Sequence, residues 1–250
     1  MLKTDLKNAI FSTVEETVKS SNSLGIAFSG GIDSTLLAGV CNNLALNPKL
    51  LTVGFSNSHD LFYSKQISSR IKMTHLILEI TSDDFTQACH RIQQKIQCKN
   101  TSHIENCIAF YFVGKLASSY GIKTILTANG FDELFCGYDS FRSIYHQGDL
   151  SINNAITDRL VNERELVEEI NQVTADLGVF IRQPFLSKKF ISMAMGIPVT
   201  YKIVGPNDLL RKHILRKLAL SMCLPEESII ARKKAIQYGS LIHKNYKQLN

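Results

Sequence analysis

The stretch richest in chemistry is Ile26-Ala-Phe-Ser-Gly-Gly-Ile-Asp-Ser-Thr35. A short apolar run ends in Ser29-Gly30-Gly31, and Asp33-Ser34-Thr35 opens what reads as a helix. Two glycines let the backbone turn tightly and come close to a ligand. Unpaired N–H groups at a helix start, backed by the positive end of its dipole, make an anion site. The hydroxyls of Ser29, Ser34 and Thr35 add donors. Asp33 is the odd member, because a carboxylate beside a phosphate repels it. Either Asp33 caps the helix, or it holds a Mg2+ that bridges to the phosphate. The plain alternative is a strand–turn–helix with a capping Asp and no ligand. The stretch is neither a Gly-x-x-x-x-Gly-Lys loop nor a Gly-x-Gly-x-x-Gly fingerprint.

A second stretch, Leu126-Thr-Ala-Asn-Gly-Phe-Asp-Glu-Leu-Phe-Cys-Gly-Tyr138, also leaves an apolar run. In an open parallel sheet, ligands bind beyond the carboxyl ends of the strands. Asn129, Gly130 and Asp132 should then share a rim with Ser29–Asp33, and Asp33 and Asp132 become two carboxylates around one Mg2+ and its phosphates. Read plainly, Asp132 is a helix N-cap with Glu133 in the first turn; the two roles are compatible.

The elements that must position these groups follow from hydrophobic periodicity. Leu6, Ile10, Val14 and Val18 mark a helix over residues 5–19. Short apolar runs at 25–28, 50–53, 75–80 and 122–126 alternate with helical patterns. Ser82 is placed to cap a helix reaching Cys98. Four such alternations argue an α/β fold, a parallel sheet with helices on both faces. Buried parallel strands read as continuous apolar runs, as these do. After about residue 140 the strand signals stop, and 153–177, 187–195, 207–222 and 229–243 read as helical or irregular. The expected organisation is an N-terminal helix (1–22), an α/β core (23–140) and a mostly helical C-terminal part (141–250) that completes the site.

The chain has 250 residues, enough for one large domain with its own core. With 44% hydrophobic and 20% charged residues it is neither disordered nor fibrous. Six cysteines stand without the close pairing of a zinc or redox motif. The opening MLKTDLKN is too polar for a secretory h-region, and no apolar run is long enough to span a membrane. These features point to a reduced, cytoplasmic protein with buried thiols. Net charge is +6. Residues 201–250 hold ten Lys and Arg against three acids, so the basic excess is confined to the C-terminal fifth.

Ser-Gly-Gly-Ile-Asp-Ser resembles the PP-loop of the ATP pyrophosphatase family. The second stretch narrows the likeness to the synthetase domain of asparagine synthetases, which carry Gly-Glu-Gly-x-Asp-Glu-Leu/Val-Phe-Gly-Gly-Tyr there. Thr52-Val-Gly-Phe with Ser58-His-Asp-Leu61 matches next, then Arg182-Gln-Pro-Phe-Leu-Ser-Lys-Lys-Phe190. Lys212-His-Ile-Leu-Arg216, Leu224-Pro-Glu and Arg232-Lys-Lys-Ala-Ile-Gln-Tyr-Gly-Ser240 complete the series, in the family's order from about residue 20 to 245. The resemblance implies an adenine nucleotide alpha hydrolase-like fold. It implies that Ser29, Gly30, Gly31, Asp33, Ser34, Thr35, Gly130 and Asp132 bind Mg-ATP. The Val53 backbone would bind adenine, and Asp33 and Asp132 would be the Mg2+ ligands. An ungapped count puts the catalytic lysine at Lys233, with Lys234 as the alternative.

Three departures qualify this. The family's loop glutamate is Asn129, and an amide is no general base at neutral pH. A loop glycine is Cys136, read as a small buried residue or as a thiol able to carry sulfur. The Asp of the Pro-Phe-Leu-Asp element is Ser187. Position 2 is Leu where glutamine-dependent relatives have their cysteine nucleophile, so the expectation is a synthetase domain without glutaminase activity. It would be supplied by free ammonia, an amine or a separate glutaminase subunit. The activity implied is an ATP-dependent amide ligase that adenylates an aspartate-like carboxylate. Two alternatives stay open. One is a PP-loop enzyme that adenylates a tRNA base, with the basic C-terminus on the nucleic acid. The other is a non-catalytic nucleotide-binding subunit, which the Asn129 change makes credible.

Overall fold

The computed structural model describes residues 2–249 apart from Ser20, Asn22, Gln97, Lys99 and Lys233. Helix α1 (Leu2–Val18) leads into β1 (Leu24–Ala27), α2 (Ile32–Asn43), β2 (Lys49–Gly54), α3 (His59–Ile71), β3 (His75–Glu79), α4 (Ser82–Lys95) and α5 (Thr101–Ser119). Strand β4 (Thr124–Leu126) precedes two one-turn helices, α6 (Phe131–Leu134) and α7 (Ser140–Ser143). The long α8 (Asp149–Ala175) leads to β5 (Phe180–Arg182) and α9 (Lys188–Met195). Then come α10 (His213–Ser221), α11 (Glu226–Ile230), α12 (Ile236–Gly239) and α13 (Ile242–Leu249).

All five strands are parallel, in the order β3-β2-β1-β4-β5. Successive strand residues point to opposite faces, and two cores result. Leu50 and Leu126 join Leu6, Ile10 and Val14 of α1, Leu36 and Leu37 of α2, and Leu215 and Leu218 of α10 on one face. Leu51 and Ile125 join Phe85 and Ile92 of α4, Phe112 and Val113 of α5, and Ile242 of α13 on the other. Both cores draw on residues before and after 140, so the C-terminal helices are layers of the same body.

Several boundaries differ from the sequence reading. β5 is a strand where none was expected; three residues are too few to carry a period, and only pairing with β4 reveals them. Helix α4 is capped by Thr81, whose hydroxyl accepts from the Asp84 N–H, and not by Ser82. Residues 207–212 are not helical, and α10 begins at His213.

The order matters for function. The chain steps outward from β1 to β2 and β3, then returns to the other side of β1 for β4. β1 and β4 are therefore the adjacent strands at which the winding reverses, and a crevice opens above their carboxyl ends. The two chemically rich stretches both leave the sheet there.

Candidate active site

Gly30 adopts φ +80°, and a Cβ there would press on Tyr63, Ile67 and the backbone of Ser64. Its glycine identity is thus a requirement of the turn. Gly31 is the N-cap of α2, without any side-chain cap. Asp33 therefore does not cap, which removes that reading. The hydroxyls fold onto the loop: Thr35 Oγ1 donates to the Gly30 carbonyl at 3.0 Å, and Ser34 Oγ to the Gly31 carbonyl at 3.3 Å. Ser29 Oγ accepts from the Gly31 N–H at 3.4 Å.

Across the crevice, Gly130 (φ +102°) is the N-cap of α6, so Asp132 sits inside the first turn and does not cap it either. The Glu133 carboxylate accepts from the Gly130 N–H at 3.0 Å and from the Tyr138 hydroxyl at 2.5 Å. Burial, with Glu133 beside it, holds the Tyr138 phenol well above its usual range, so it remains a neutral donor.

Asp33 and Asp132 converge on one cation that the sequence reading did not assign. Lys212 is 1% exposed, and its Nζ pairs with Asp33 Oδ2 and, at 2.5 Å, with Asp132 Oδ1. A Cβ at Gly137 would collide with Asp132 and with Lys212 Cε, so only glycine fits beside the pair. Lys212 is delivered by a tight turn in which Arg211 (φ +50°) and Lys212 (φ +52°) are both left-handed. Such residues cost of order 1 kcal/mol or more each and persist only where the surroundings over-determine them. Asp208 does this here. It accepts from the N–H groups of Val204, Leu210 and Arg211 at 3.0, 3.1 and 2.9 Å, and faces His213 Nε2 at 2.6 Å. Arg211 reaches over to donate to the Gly137 carbonyl at 3.0 and 3.1 Å, tying this turn to the second loop.

Arg216, one turn into α10, holds the final wall. Its guanidinium donates to the carbonyls of Ile229, Leu210 (2.6 Å) and Ala231 (3.1 Å), and its Nε to that of Arg211 (2.8 Å). This pins the segment that carries Arg232 and Lys234 to the mouth of the cavity.

A cavity of about 280 Å³ joins these parts. Ser29, Gly31, Asp33, Ser34, Asn129, Asp132, Lys212 and Lys234 lie on its wall. Gly30 and Thr35 lie behind it, shaping the turn; Gly130, within the second loop, packs against the Phe185 backbone; Val53 is buried within β2 and is not on the wall. Lys233 lies outside the described residues. At the far end, the long α8 contributes Arg159, Asn162 and Glu163. Glu163 is buried, and Asn129 Nδ2 donates to its Oε1 at 2.5 Å. A carboxylate from α8 thus stands beside position 129, where the resemblance leads one to expect a glutamate. Arg159 stacks 4.2 Å above the Tyr138 ring and bonds Ser140 Oγ at 2.6 Å.

The other departures read plainly in place. Cys136 is fully buried with φ +59°, and burial pushes its thiol up to about 12, which suits an inert core residue rather than a sulfur carrier. Ser187 caps α9 by accepting from the Phe190 N–H at 3.3 Å. Its neighbours Phe185 and Phe190 join Phe131 in an aromatic cluster beneath the second loop, with Phe131 and Phe185 stacked at 3.9 Å. Not every thiol is buried: Cys98 is half-buried and Cys223 exposed. Among the described residues no helix is long and apolar enough to cross a membrane.

The donors at Asp33 and Asp132 are carboxylate oxygens already gathered around one positive charge. That set fits a hard divalent cation such as Mg2+.

The sequence profile of the asparagine synthase family matches residues 5–164 and 156–249. The chain is 27% identical over 266 residues to a Methanocaldococcus jannaschii protein named as glutamine-hydrolyzing asparagine synthetase 1, covering 94% of this chain and 49% of that protein. It is 26% identical over 229 residues to the glutamine-hydrolyzing asparagine synthetase B of Escherichia coli K12, covering 86% of this chain and 41% of the relative. The chain thus spans about half the length of these relatives, or less. Among solved structures, the NH3-dependent NAD synthetase of Campylobacter jejuni in complex with nitrate superposes with a TM-score of 0.49 at 17% identity, over 100% of this chain and 87% of that one.

Proposed function

The chain belongs to the asparagine synthase family, and from that premise we propose that its cavity performs ATP-dependent carbon–nitrogen ligation. A carboxylate oxygen of the acceptor attacks the α-phosphorus of ATP, and pyrophosphate leaves with the electrons of the broken P–O bond. Ammonia or an amine then attacks the acyl carbon, AMP departs, and the nitrogen loses a proton to form the amide. A separate glutaminase subunit is one source of that ammonia, and an aspartate-like acid is the proposed acceptor.

One observation carries the reading: Asp33 and Asp132 meet over Lys212 in the crevice between β1 and β4, beside the Ser29–Ser34 loop. Asp33 and Asp132 are the residues that would hold Mg2+, which when bound supplies neutralising charge to the phosphates. The protein's own share is positioning and electrostatics. The loop N–H groups, with the hydroxyls of Ser29 and Ser34, cradle the pyrophosphate, and Gly30 and Thr35 shape the turn behind them. Lys212, Lys234 and the adjoining Lys233 neutralise charge that grows on the leaving group. Glu163 stands where a base must take the amine proton, and its hydrogen bond to Asn129 orients it. Arg159 and Asn162 frame the acceptor's end of the cavity.

The nucleic-acid reading loses part of its support. Arg211, Lys212 and Arg216 are buried and bonded internally, so much of the basic excess is no surface for a polyanion.

Pyrophosphate release from Mg-ATP tests the proposal, across a panel of amino and dicarboxylic acids with ammonia and, separately, with tRNA. Release that needs an acid and is lost in Asp33→Asn and Asp132→Asn is expected. ATP binding with no release in any arm would leave the non-catalytic subunit as the better description, and release stimulated by tRNA alone would favour base adenylation.

A further inference from the structure

Next to the acceptor end, where His103 itself lines the cavity, a second cluster is left unused by this chemistry. Cys98 Sγ, a His103 ring nitrogen and a Glu169 carboxylate oxygen all lie within 4.8 Å of one another. We propose that these three residues bind a zinc-class divalent metal ion, with water completing the coordination.

The donor set is the first argument. One thiolate, one imidazole and one carboxylate around an ion with an open position is a combination that borderline-soft metals favour over Mg2+ or Ca2+. Bonds of about 2.0–2.3 Å to one tetrahedral ion place ligand atoms about 3.5 Å apart, so the triad must close by roughly an ångström. Two of its members are closer already, with His103 Nδ1 2.8 Å from Glu169 Oε2.

The second argument is the histidine's own bonding. His103 is 4% exposed, and its other nitrogen, Nε2, lies 3.1 Å from Asn162 Oδ1. Both ring nitrogens thus face oxygen acceptors, while a neutral imidazole has a single N–H. With Nε2–H donated to Asn162, the Nδ1 lone pair points at a carboxylate and a sulfur. A cation between them satisfies the arrangement where otherwise a second ring proton must, and an outer hydrogen bond that sets the tautomer is the usual accompaniment of a metal-bound histidine.

The third is access and charge. The Asn100 N–H donates to Cys98 Sγ at 3.3 Å, but burial, with Glu169 and Glu165 nearby, holds the thiol above its usual range, so an incoming cation must displace its proton. A cavity of about 380 Å³ lined by Lys95, Ile96, Cys98, Glu169 and Gln172 opens on the cluster and offers an entry path. Lys95 does not supply the missing charge, since its Nζ lies 2.5 Å from Asp176. A bound ion would tie the start of α5 and the segment before it to Glu169 of α8, and the His103 contact to Asn162 lies one residue from Glu163.

Cobalt(II) is the probe. Metal-stripped protein titrated with Co2+ should take up one equivalent, with tetrahedral d–d bands and a thiolate-to-cobalt charge-transfer band, both displaced by Zn2+. Cys98→Ser should abolish the charge-transfer band, Glu169→Gln should weaken binding tenfold or more, and Cys223→Ser should change neither. Zn2+ should also shield Cys98 of the unaltered protein from alkylation while Cys223 still reacts, a readout that needs no variant to fold. A band that survives in Cys98→Ser, equal alkylation of Cys98 with and without Zn2+, or no saturable Co2+ binding would each overturn the assignment.

Discussion

Lys212→Met isolates the electrostatic centre of the site. The substitution keeps the length of the side chain and removes the charge that Asp33 and Asp132 share. Their side chains are 19% and 14% exposed, so two mostly buried carboxylates would be left facing an apolar tip. Removing one partner from a buried ion pair costs about 3–5 kcal/mol. The partial exposure of the acids puts the expected loss at the lower end, about 3 kcal/mol. At this chain length that is a fall in Tm of roughly 6–12 °C. Two rescues should follow. Asp33→Asn in the Lys212→Met background removes one of the two like charges and should return part of the loss. Mg2+ should substitute for the missing ammonium, and at about a hundred times its Kd it contributes about 2.7 kcal/mol. Thermal unfolding of the three proteins, with and without Mg2+, reads all of this. A Lys212→Met protein that melts within 2 °C of the parent, or one that Mg2+ stabilises no more than it does the parent, would refute the shared-cation account.

Three further outcomes are expected. Glu163→Gln should leave acid-dependent ATP–pyrophosphate exchange nearly intact while amide formation falls by about 10²–10⁴, the range for lost general-base catalysis; equal losses in both assays would assign Glu163 to the fold or to the first step. Lys202 is fully buried, no hydrogen bond reaches its Nζ among the described residues, and burial pushes its ammonium down from 10.5 to about 8. Between pH 8 and 10.5 the unfolded chain holds this proton and the folded one does not, so stability should rise with pH across that window. Below pH 8 the full penalty applies, about 3 kcal/mol at 1.36 kcal/mol per pH unit. Lys202→Met should therefore raise denaturant stability at pH 7 by up to that amount and flatten this rise, and unchanged stability with the slope retained would count against it. Arg216→Lys keeps the charge but loses most of the bonds to 229–231, which should speed tryptic cleavage at Arg232 and Lys234 by about tenfold or more, given about 1.5–3 kcal/mol per charged hydrogen bond; cleavage at the parent's rate would show that Arg216 does not pin this segment.

The parts of the site that were legible in the sequence are those coded locally. Ser29-Gly30-Gly31 and Asp33-Ser34 advertise a turn and an anion site because backbone freedom and hydroxyls must lie within a few residues of each other. The sheet was legible for four strands because buried parallel strands leave continuous apolar runs, and β5 was not because its three residues leave none. Lys212 was hidden for a different reason. It lies 179 residues from Asp33, and its turn uses left-handed Arg and Lys, with no Gly or Asn to announce it. Glu163 was hidden because one inward carboxylate on a helix rich in acids looks like part of a solvated face. The choice between capping and ligation at Asp33 turned on which residue occupied the N-cap, a matter of one position that spacing alone cannot decide.

The basic C-terminal segment takes on a specific meaning in this light. A cation that binds phosphate can be held at the surface, ready for a ligand, or inside, where it must already have a partner. Lys212 is of the second kind. In the absence of ligand it neutralises the two carboxylates proposed to take Mg2+, so a buried pair of like charges is never left exposed to its own repulsion. Metal held by the carboxylates would satisfy their charge from another source, and the lysine would be left to the phosphates proposed to sit at the Ser29–Ser34 loop. Metal and nucleotide should then support each other's binding, because each removes the penalty the other would face alone. Arg232 and Lys234, exposed at the mouth, belong to the first kind and attract the polyanion from solvent. The charge excess therefore divides into an internal counter-ion, clamps such as Arg211 and Arg216 that hold it in place, and an outer rim.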